Sequence, residues 1–206
     1  NTLAYILKKT FFILTIIIFL SCKNDSIKSG KKIIYYPSKD FYNSSEKAEI
    51  NLESSDLNFK EIVHLADKVQ QQKTRLLVTI KDNNITRKII PFVDNGGHRK
   101  MKNILQIKED SILIDDNYHI KNLNKILTRH YENKGKIPRY AESPKKAIIE
   151  ITIDTSSSGK DLKKLLLTLT KEFDNINTRH KDSLKLIVFF DYFRQMKVPK
   201  PTPPIK

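Results

Sequence analysis

Residues 112–127, ILIDDNYHIKNLNKIL, align without a gap on residues 151–166, ITIDTSSSGKDLKKLL, at an offset of 39 positions. Ile112 matches Ile151, Ile114 matches Ile153 and Asp115 matches Asp154; Lys121, Leu123, Lys125 and Leu127 match Lys160, Leu162, Lys164 and Leu166. In each copy Ile recurs at every second position before an Asp, the period of a strand. After a polar turn the apolar residues fall three and four apart, the period of a helix. Two copies are too few for a solenoid, which needs three or more. They predict two strand–turn–helix units on a shared sheet, each helix hiding its apolar stripe.

Within this repeat, the second helix carries the stronger signals. Ser158 and Asp161 make a capping-box pattern, and Leu162, Leu165, Leu166, Leu169, Phe173 and Ile176 form one stripe. The apolar run Leu184–Phe190 predicts a central or well-covered strand. Upstream, Leu57–Gln72 predicts a helix with Leu57, Ile62, Leu65, Ala66 and Val69 on one face, capped by Ser55 or Asp56. Arg75–Ile80 and Ile85–Val93 predict strands joined by a turn at Asp82-Asn83-Asn84, closed by the loop Asp94-Asn95-Gly96-Gly97. The fold class expected is α/β (α+β): a small sheet with two amphipathic helices packed on one face, preceded by a helix-hairpin unit.

The chain opens NTLAYILKKTFFILTIIIFLSCKNDS, in which Lys8 and Lys9 precede an apolar run that ends at Ser21-Cys22. That is the order of a signal peptide: basic region, short apolar core, small residues at the cleavage site. The core from Phe11 to Leu20 would span roughly 15 Å as a helix, about half a bilayer's hydrocarbon, so it predicts a segment that is removed rather than one that spans. Leu20-Ser21-Cys22 resembles the lipobox of bacterial lipoproteins, in which the cysteine is lipidated before cleavage. Phe19 stands where an aliphatic residue is usual. The resemblance implies that Cys22 carries the two or three acyl chains that durable attachment requires, and acts as an anchor rather than a nucleophile. Cys22 is the only cysteine, which excludes an intramolecular disulfide and any multi-cysteine metal site.

The organisation expected is therefore a signal peptide over 1–21, a flexible tether over 22–55, a helix plus β-hairpin unit over 56–97, an α/β domain over 98–194 and a proline-rich tail over 195–206. The tether reading rests on Lys, Ser, Asn and Asp throughout Lys23–Ser55, interrupted by Ile33-Ile34-Tyr35-Tyr36-Pro37. The tail VPKPTPPIK predicts extended polyproline II.

The order from Ile104 to Asp191 is hairpin (ILQIKEDSILIDD), helix (KNLNKILTRHYENKG), strand (AIIEITIDTSSS), helix (GKDLKKLLLTLTKEFDNI) and strand (LKLIVFF). This order resembles the periplasmic domain of the TolR/ExbD biopolymer-transport family. There a short hairpin precedes a helix, and a strand ending in an acidic residue precedes a second; Asp154 with Thr155-Ser156-Ser157 falls at that aspartate and turn. The resemblance covers a little under half of the chain. It implies the fold, a tendency to form a homodimer, and contact with envelope proteins or peptidoglycan. Family members that conduct protons carry an aspartate inside a transmembrane helix, and this sequence shows neither, so a proton-coupled motor is not implied.

The net charge is +15, and removal of Lys8 and Lys9 with the signal leaves +13. Such a charge favours anionic partners or a lysine-rich solvated surface. Between Tyr118 and Lys146 the basic residues Lys121, Lys125, Arg129, Lys134, Lys136, Arg139, Lys145 and Lys146 face only Glu132 and Glu142, with Tyr131 and Tyr140 interleaved. This is the candidate binding face. For an exported protein it suits lipid headgroups, an anionic cell-wall polymer or acidic protein surfaces, and no nucleic acid is expected. No Walker loop, GxSxG elbow, HExxH helix or repeated Cys pair occurs, and no cofactor is expected. Asp115, Asp116 and Asp154 make an alternative carboxylate site at the strand ends, for an envelope hydrolase or metal-dependent enzyme; turn-shaping and helix-capping are the plainer roles for such residues. Glu61 and His64 form a single ExxH pair, which reads as part of a polar helix face. His130 and His180, each in a Thr-Arg-His triplet, predict imidazoles that favour the helix C-termini.

Growing cells in an alkyne-tagged palmitate is expected to label this chain, with Cys22→Ser abolishing the label and leaving a larger, unprocessed form. A labelled Cys22→Ser variant would remove Cys22 as the anchor.

Overall fold

A computed structural model describes residues 31–93, 100–114 and 117–191. Two sheets and four helices make an α+β fold, in agreement with the class expected from the sequence. The chain runs β1 (Lys32–Tyr36), α1 (Lys39–Asn43), β2 (Lys47–Asn51), α2 (Phe59–Gln71), β3 (Arg75–Asp82) and β4 (Ile85–Ile89), followed by β5 (Ile104–Lys108), β6 (Ser111–Leu113), β7 (Tyr118–His119), α3 (Leu123–Glu132), β8 (Ile148–Thr152), α4 (Gly159–Arg179) and β9 (Val188–Phe190). The signal segment, the tail and the Asp94–Gly97 loop lie outside the described residues. Among the described residues no helix is long and apolar enough to cross a membrane.

The first sheet has the order β1-β4-β3-β2, with β1 parallel to β4, β3 antiparallel to β4, and β2 parallel to β3. Asn83 takes a left-handed backbone (φ 52°) in the two-residue connection from β3 to β4, a conformation that asparagine tolerates. The tether expectation fails from Lys32 onward. Ile34 and Tyr36 of β1 and Ile50 of β2 turn toward the core, and their backbones complete the ladders of β4 and β3. The polar residues between them concealed strands whose outer faces meet water. Helix α2 begins two residues later than expected, because Asn58 rather than Ser55 or Asp56 caps it. Asn58 Oδ1 accepts from the Glu61 N–H at 2.9 Å, and Glu61 accepts from the Asn58 N–H at 2.8 Å. Its buried stripe is Phe59, Ile62, Val63, Ala66 and Val69, with Leu65 at the edge.

The second sheet has the order β7-β6-β5-β8-β9, with β5, β8 and β9 parallel and β6 and β7 added antiparallel. Helices α3 and α4 pack side by side, and the α4 stripe is buried as expected from Leu162 through Ile176. The two copies of the internal repeat thus play unequal parts. The strand of the first, β6, is an antiparallel hairpin arm, whereas that of the second, β8, is central and parallel. The expected strand Leu184–Phe190 shortens to β9 at the end of the sheet order. Its outer side is covered at one point: the Phe92 N–H donates to the Val188 carbonyl (2.8 Å), and Phe92 accepts from Phe190 N–H (3.0 Å).

The two sheets share one core through α4. Arg87 on β4, 3% exposed, donates through Nη2 to Asp174 Oδ2 at 3.0 Å, and the Tyr36 hydroxyl donates to Asp174 Oδ1 at 2.7 Å. Burial, and then the hydrogen bond to the Asp174 carboxylate, push the Tyr36 hydroxyl well above the usual tyrosine range, so it stays a donor. Removing one partner strands the buried guanidinium. Asp174→Ala is expected to cost on the order of 3 kcal/mol in urea unfolding, and Arg87→Met with Asp174→Leu to recover most of it. A loss under about 0.5 kcal/mol from Asp174→Ala would show that the pair contributes little.

Candidate functional site

A 3-10 turn over Ile120–Asn122 leads into α3, with the Lys121 N–H donating to His119 Nδ1 at 3.1 Å. Leu123, Ile126, Leu127, His130 and Tyr131 take the inner side of α3. The four-residue spacing of Lys121, Lys125 and Arg129 therefore puts all three on the outer side, and all three are exposed there. The helix ends at Asn133, whose side chain organises the succeeding loop. Asn133 Oδ1 accepts from the Ile137 N–H at 2.8 Å, and its Nδ2 donates to the carbonyls of Ile137 (2.9 Å), Tyr140 (3.0 Å) and Ala141 (2.9 Å). Folded around this buried amide, residues 134–139 have their side chains outside, and Lys134, Lys136 and Arg139 are exposed. The left-handed backbones of Lys134 (φ 49°) and Gly135 (φ 76°) turn the chain there.

The face so assembled differs in two ways from its sequence expectation. Tyr131 and Tyr140 belong to the core, 0% and 1% exposed, and offer no stacking surface. The Tyr131 hydroxyl donates to the Lys185 carbonyl at 3.0 Å, and Tyr140 supports the Arg129 guanidinium 5.7 Å from its ring centre. Lys146 also drops out. Glu142 gathers Lys146 (2.6 Å), Lys102 (2.9 Å) and Lys100 (3.0 Å), which hold its carboxyl far below the usual carboxylate range. Lys121, Lys125, Lys134 and Lys136, by contrast, have no ion pair among the described residues.

His180 takes the expected position at a helix end, whereas a cationic imidazole is ruled out for His130. His180 caps the C-terminus of α4, its Nε2 lying 2.9 Å from Glu132 Oε1 at the end of α3. His130 is fully buried and lies beneath the basic loop. Its Nδ1 accepts from the Ala141 N–H at 3.3 Å, so the proton sits on Nε2, which is buried without a hydrogen-bond partner among the described residues. Desolvation lowers its pKa to about 4, so it is neutral rather than cationic.

The alternative carboxylate site is only partly described. Asp115 and Asp116 lie outside the described residues, as does Cys22. Asp154 is exposed at the end of β8 and accepts from the Ser156 N–H (2.8 Å) and hydroxyl, bonds that lower its pKa; this is the turn-shaping role. A cleft of about 450 Å³ does open beside it, over Ile120, Ile153 and Leu165, with Glu109, Asp110 and Asp161 at its margin. Asp161 there is committed to the α4 capping box, and Asp110 lies 3.8 Å from His119. His64 lies on the exposed side of α2, and no group of three potential ligands among the described residues is placed to hold a metal ion.

No family model matches the chain, and neither curated proteins nor solved structures yield a match.

Charging His130 in the folded protein is costly, so the unfolded chain binds its proton first. Stability is expected to be full above the unfolded pKa of about 6.5 and to fall by roughly 1.4 kcal/mol per pH unit below it, until the folded pKa near 4 is reached. Urea titrations of the wild type and His130→Gln at pH 7 and pH 5 test this. The same pH 7 to pH 5 loss in both proteins would exclude His130 as its source.

Proposed function

We propose that this chain is a membrane-anchored envelope lipoprotein that serves as a non-enzymatic binding or accessory subunit through its basic face, in a complex of the ExbD/TolR type. The observation that carries the reading is the Asn133-organised loop. A buried amide spends its hydrogen bonds shaping a turn from which Lys134, Lys136 and Arg139 project, continuing the cationic row of Lys121, Lys125 and Arg129 along α3 and the turn before it. Cations held on a preorganised turn suit an acidic protein surface or an anionic wall polymer. The signal and lipobox pattern ending at Cys22 supports the envelope address, and the order of elements from β5 to β9 supports the family likeness.

The lysine and arginine tips contribute charge, whereas Asn133 contributes shape, and the two separate experimentally. The triple variant Lys134→Ala, Lys136→Ala, Arg139→Ala is expected to fold normally and to lose partner capture in an in-cell crosslinking experiment. Its residual binding should depend more weakly on salt. Recovery of inner-membrane motor or TonB-type proteins by the wild type would support the accessory-subunit reading. Unchanged capture by the triple variant would overturn the assignment of this face.

A further inference from the structure

A second cationic surface lies on α4, apart from the basic loop. Lys160, Lys163, Lys164 and Lys171 line a groove of about 460 Å³ along one flank of the helix, with Glu53 across it. Their three-, four- and seven-residue spacings repeat the helical turn, so the row is set by α4 itself. Two carboxylates enter it. Lys163 Nζ lies 2.6 Å from Glu53, and Lys171 Nζ lies 2.8 Å from Asp82; each contact lowers the pKa of its carboxyl partner. Lys81 adjoins Glu53 and adds to the field. Among the described residues Lys160, Lys164 and Lys81 have no ion pair, so the groove keeps a net positive charge.

The start of β1 lies near this groove. Asp82 ends β3, and two residues later the Asn84 carbonyl accepts from the N–H of Lys32, the first residue of β1, at 3.0 Å. The chain that arrives from Cys22 therefore joins the fold beside the groove. Cys22 and Lys32 are ten residues apart, and ten peptide units reach at most roughly 35 Å in any conformation. A lipid on Cys22 would hold this end of the fold near the bilayer surface. Lysine ammoniums are compact point charges with three donors each, suited to phosphate oxygens. The groove presents lysine stems and Leu167 without an aromatic ring, so it lacks the stacking platform of a nucleic-acid channel.

We propose that the lysine groove of α4 docks onto anionic lipid headgroups, adding an electrostatic contact to the lipid anchor. The inference rests on the reading of Cys22 as that anchor. Each lysine brought to an anionic surface should tighten the docked state about five-fold.

The test uses the mature chain purified from membranes and reconstituted in vesicles of phosphatidylcholine, with or without one third phosphatidylglycerol. Amine acetylation read by mass spectrometry then compares individual lysines. Docking predicts that Lys160, Lys164 and Lys171 are protected at least five-fold in the anionic vesicles only, that 0.5 M salt removes the protection, and that Lys134 and Lys136 label equally in both. The double variant Lys160→Gln, Lys164→Gln, which breaks no ion pair, should lose the protection of Lys171. Equal labelling of the groove lysines in the two vesicle types would overturn the proposal, as would equal protection of Lys134. Attachment to neutral vesicles reports separately on the anchor: a chain that fails to attach there refutes the anchor, while protection in anionic vesicles still decides the groove.

Discussion

The N-termini of α2 and α4 satisfy one another's backbones, and the arrangement of both sheets follows from that pairing. A helix start leaves four N–H groups without intrahelical partners, and here two such starts are brought together. The Phe59 N–H donates to the Ser157 carbonyl at 2.8 Å and the Lys60 N–H to the Thr155 carbonyl at 3.2 Å; the Gly159 N–H returns a bond to the Leu57 carbonyl at 3.0 Å. Asn58 and Ser158 form an antiparallel bridge, each at the head of its own capping box with Glu61 or Asp161. With the two helix starts locked together, β2-α2-β3 and β8-α4-β9 become neighbouring crossovers, and α4 can serve both sheets.

That dual service explains why α4 is long and why its polar residues matter. Its apolar stripe fills the core, while Asp174 reaches across to Arg87 and Tyr36 in the first sheet. The lysines left on its free flank then fall beside the β3–β4 turn, where β1 also begins. A helix chosen for packing thereby carries a charged row to the point where the preceding chain joins the fold. Helix α3 follows the same logic on a smaller scale: its buried stripe includes His130, its outer row is basic, and Asn133 converts its end into a cationic loop. We propose different partners for these two surfaces, one in the bilayer and one on a neighbouring protein or polymer.

The elements whose signals are local were legible in the amino-acid sequence. The α4 capping box and stripe, the β3–β4 hairpin, the apolar stripe of α2 and the outward placement of Lys121, Lys125, Arg129, Lys134, Lys136 and Arg139 all follow from spacing and residue type. Beta strands with one wet face were not. Lys47–Asn51 alternates weakly and reads as a stalk, and its strand character comes from β3, which lies some thirty residues further along and supplies the ladder. The Asn58-x-x-Glu61 capping box was present in the sequence and identifies the start of α2 better than Ser55 or Asp56 does.

Periodicity and capping act within a few residues, which is why the amino-acid order alone was enough for the α+β class, the amphipathic helices and the row of cations. Contacts made only in the folded chain decided instead that Tyr131, Tyr140 and His130 belong to the core, that Glu142 draws Lys146 away from the basic face, and that Asn133 shapes the loop. They also decided that Lys32–Tyr36 is a strand, which starts close to the lysines of α4. Burial, desolvation and ion pairing at these residues are set by which groups the folded chain brings together rather than by the residue itself.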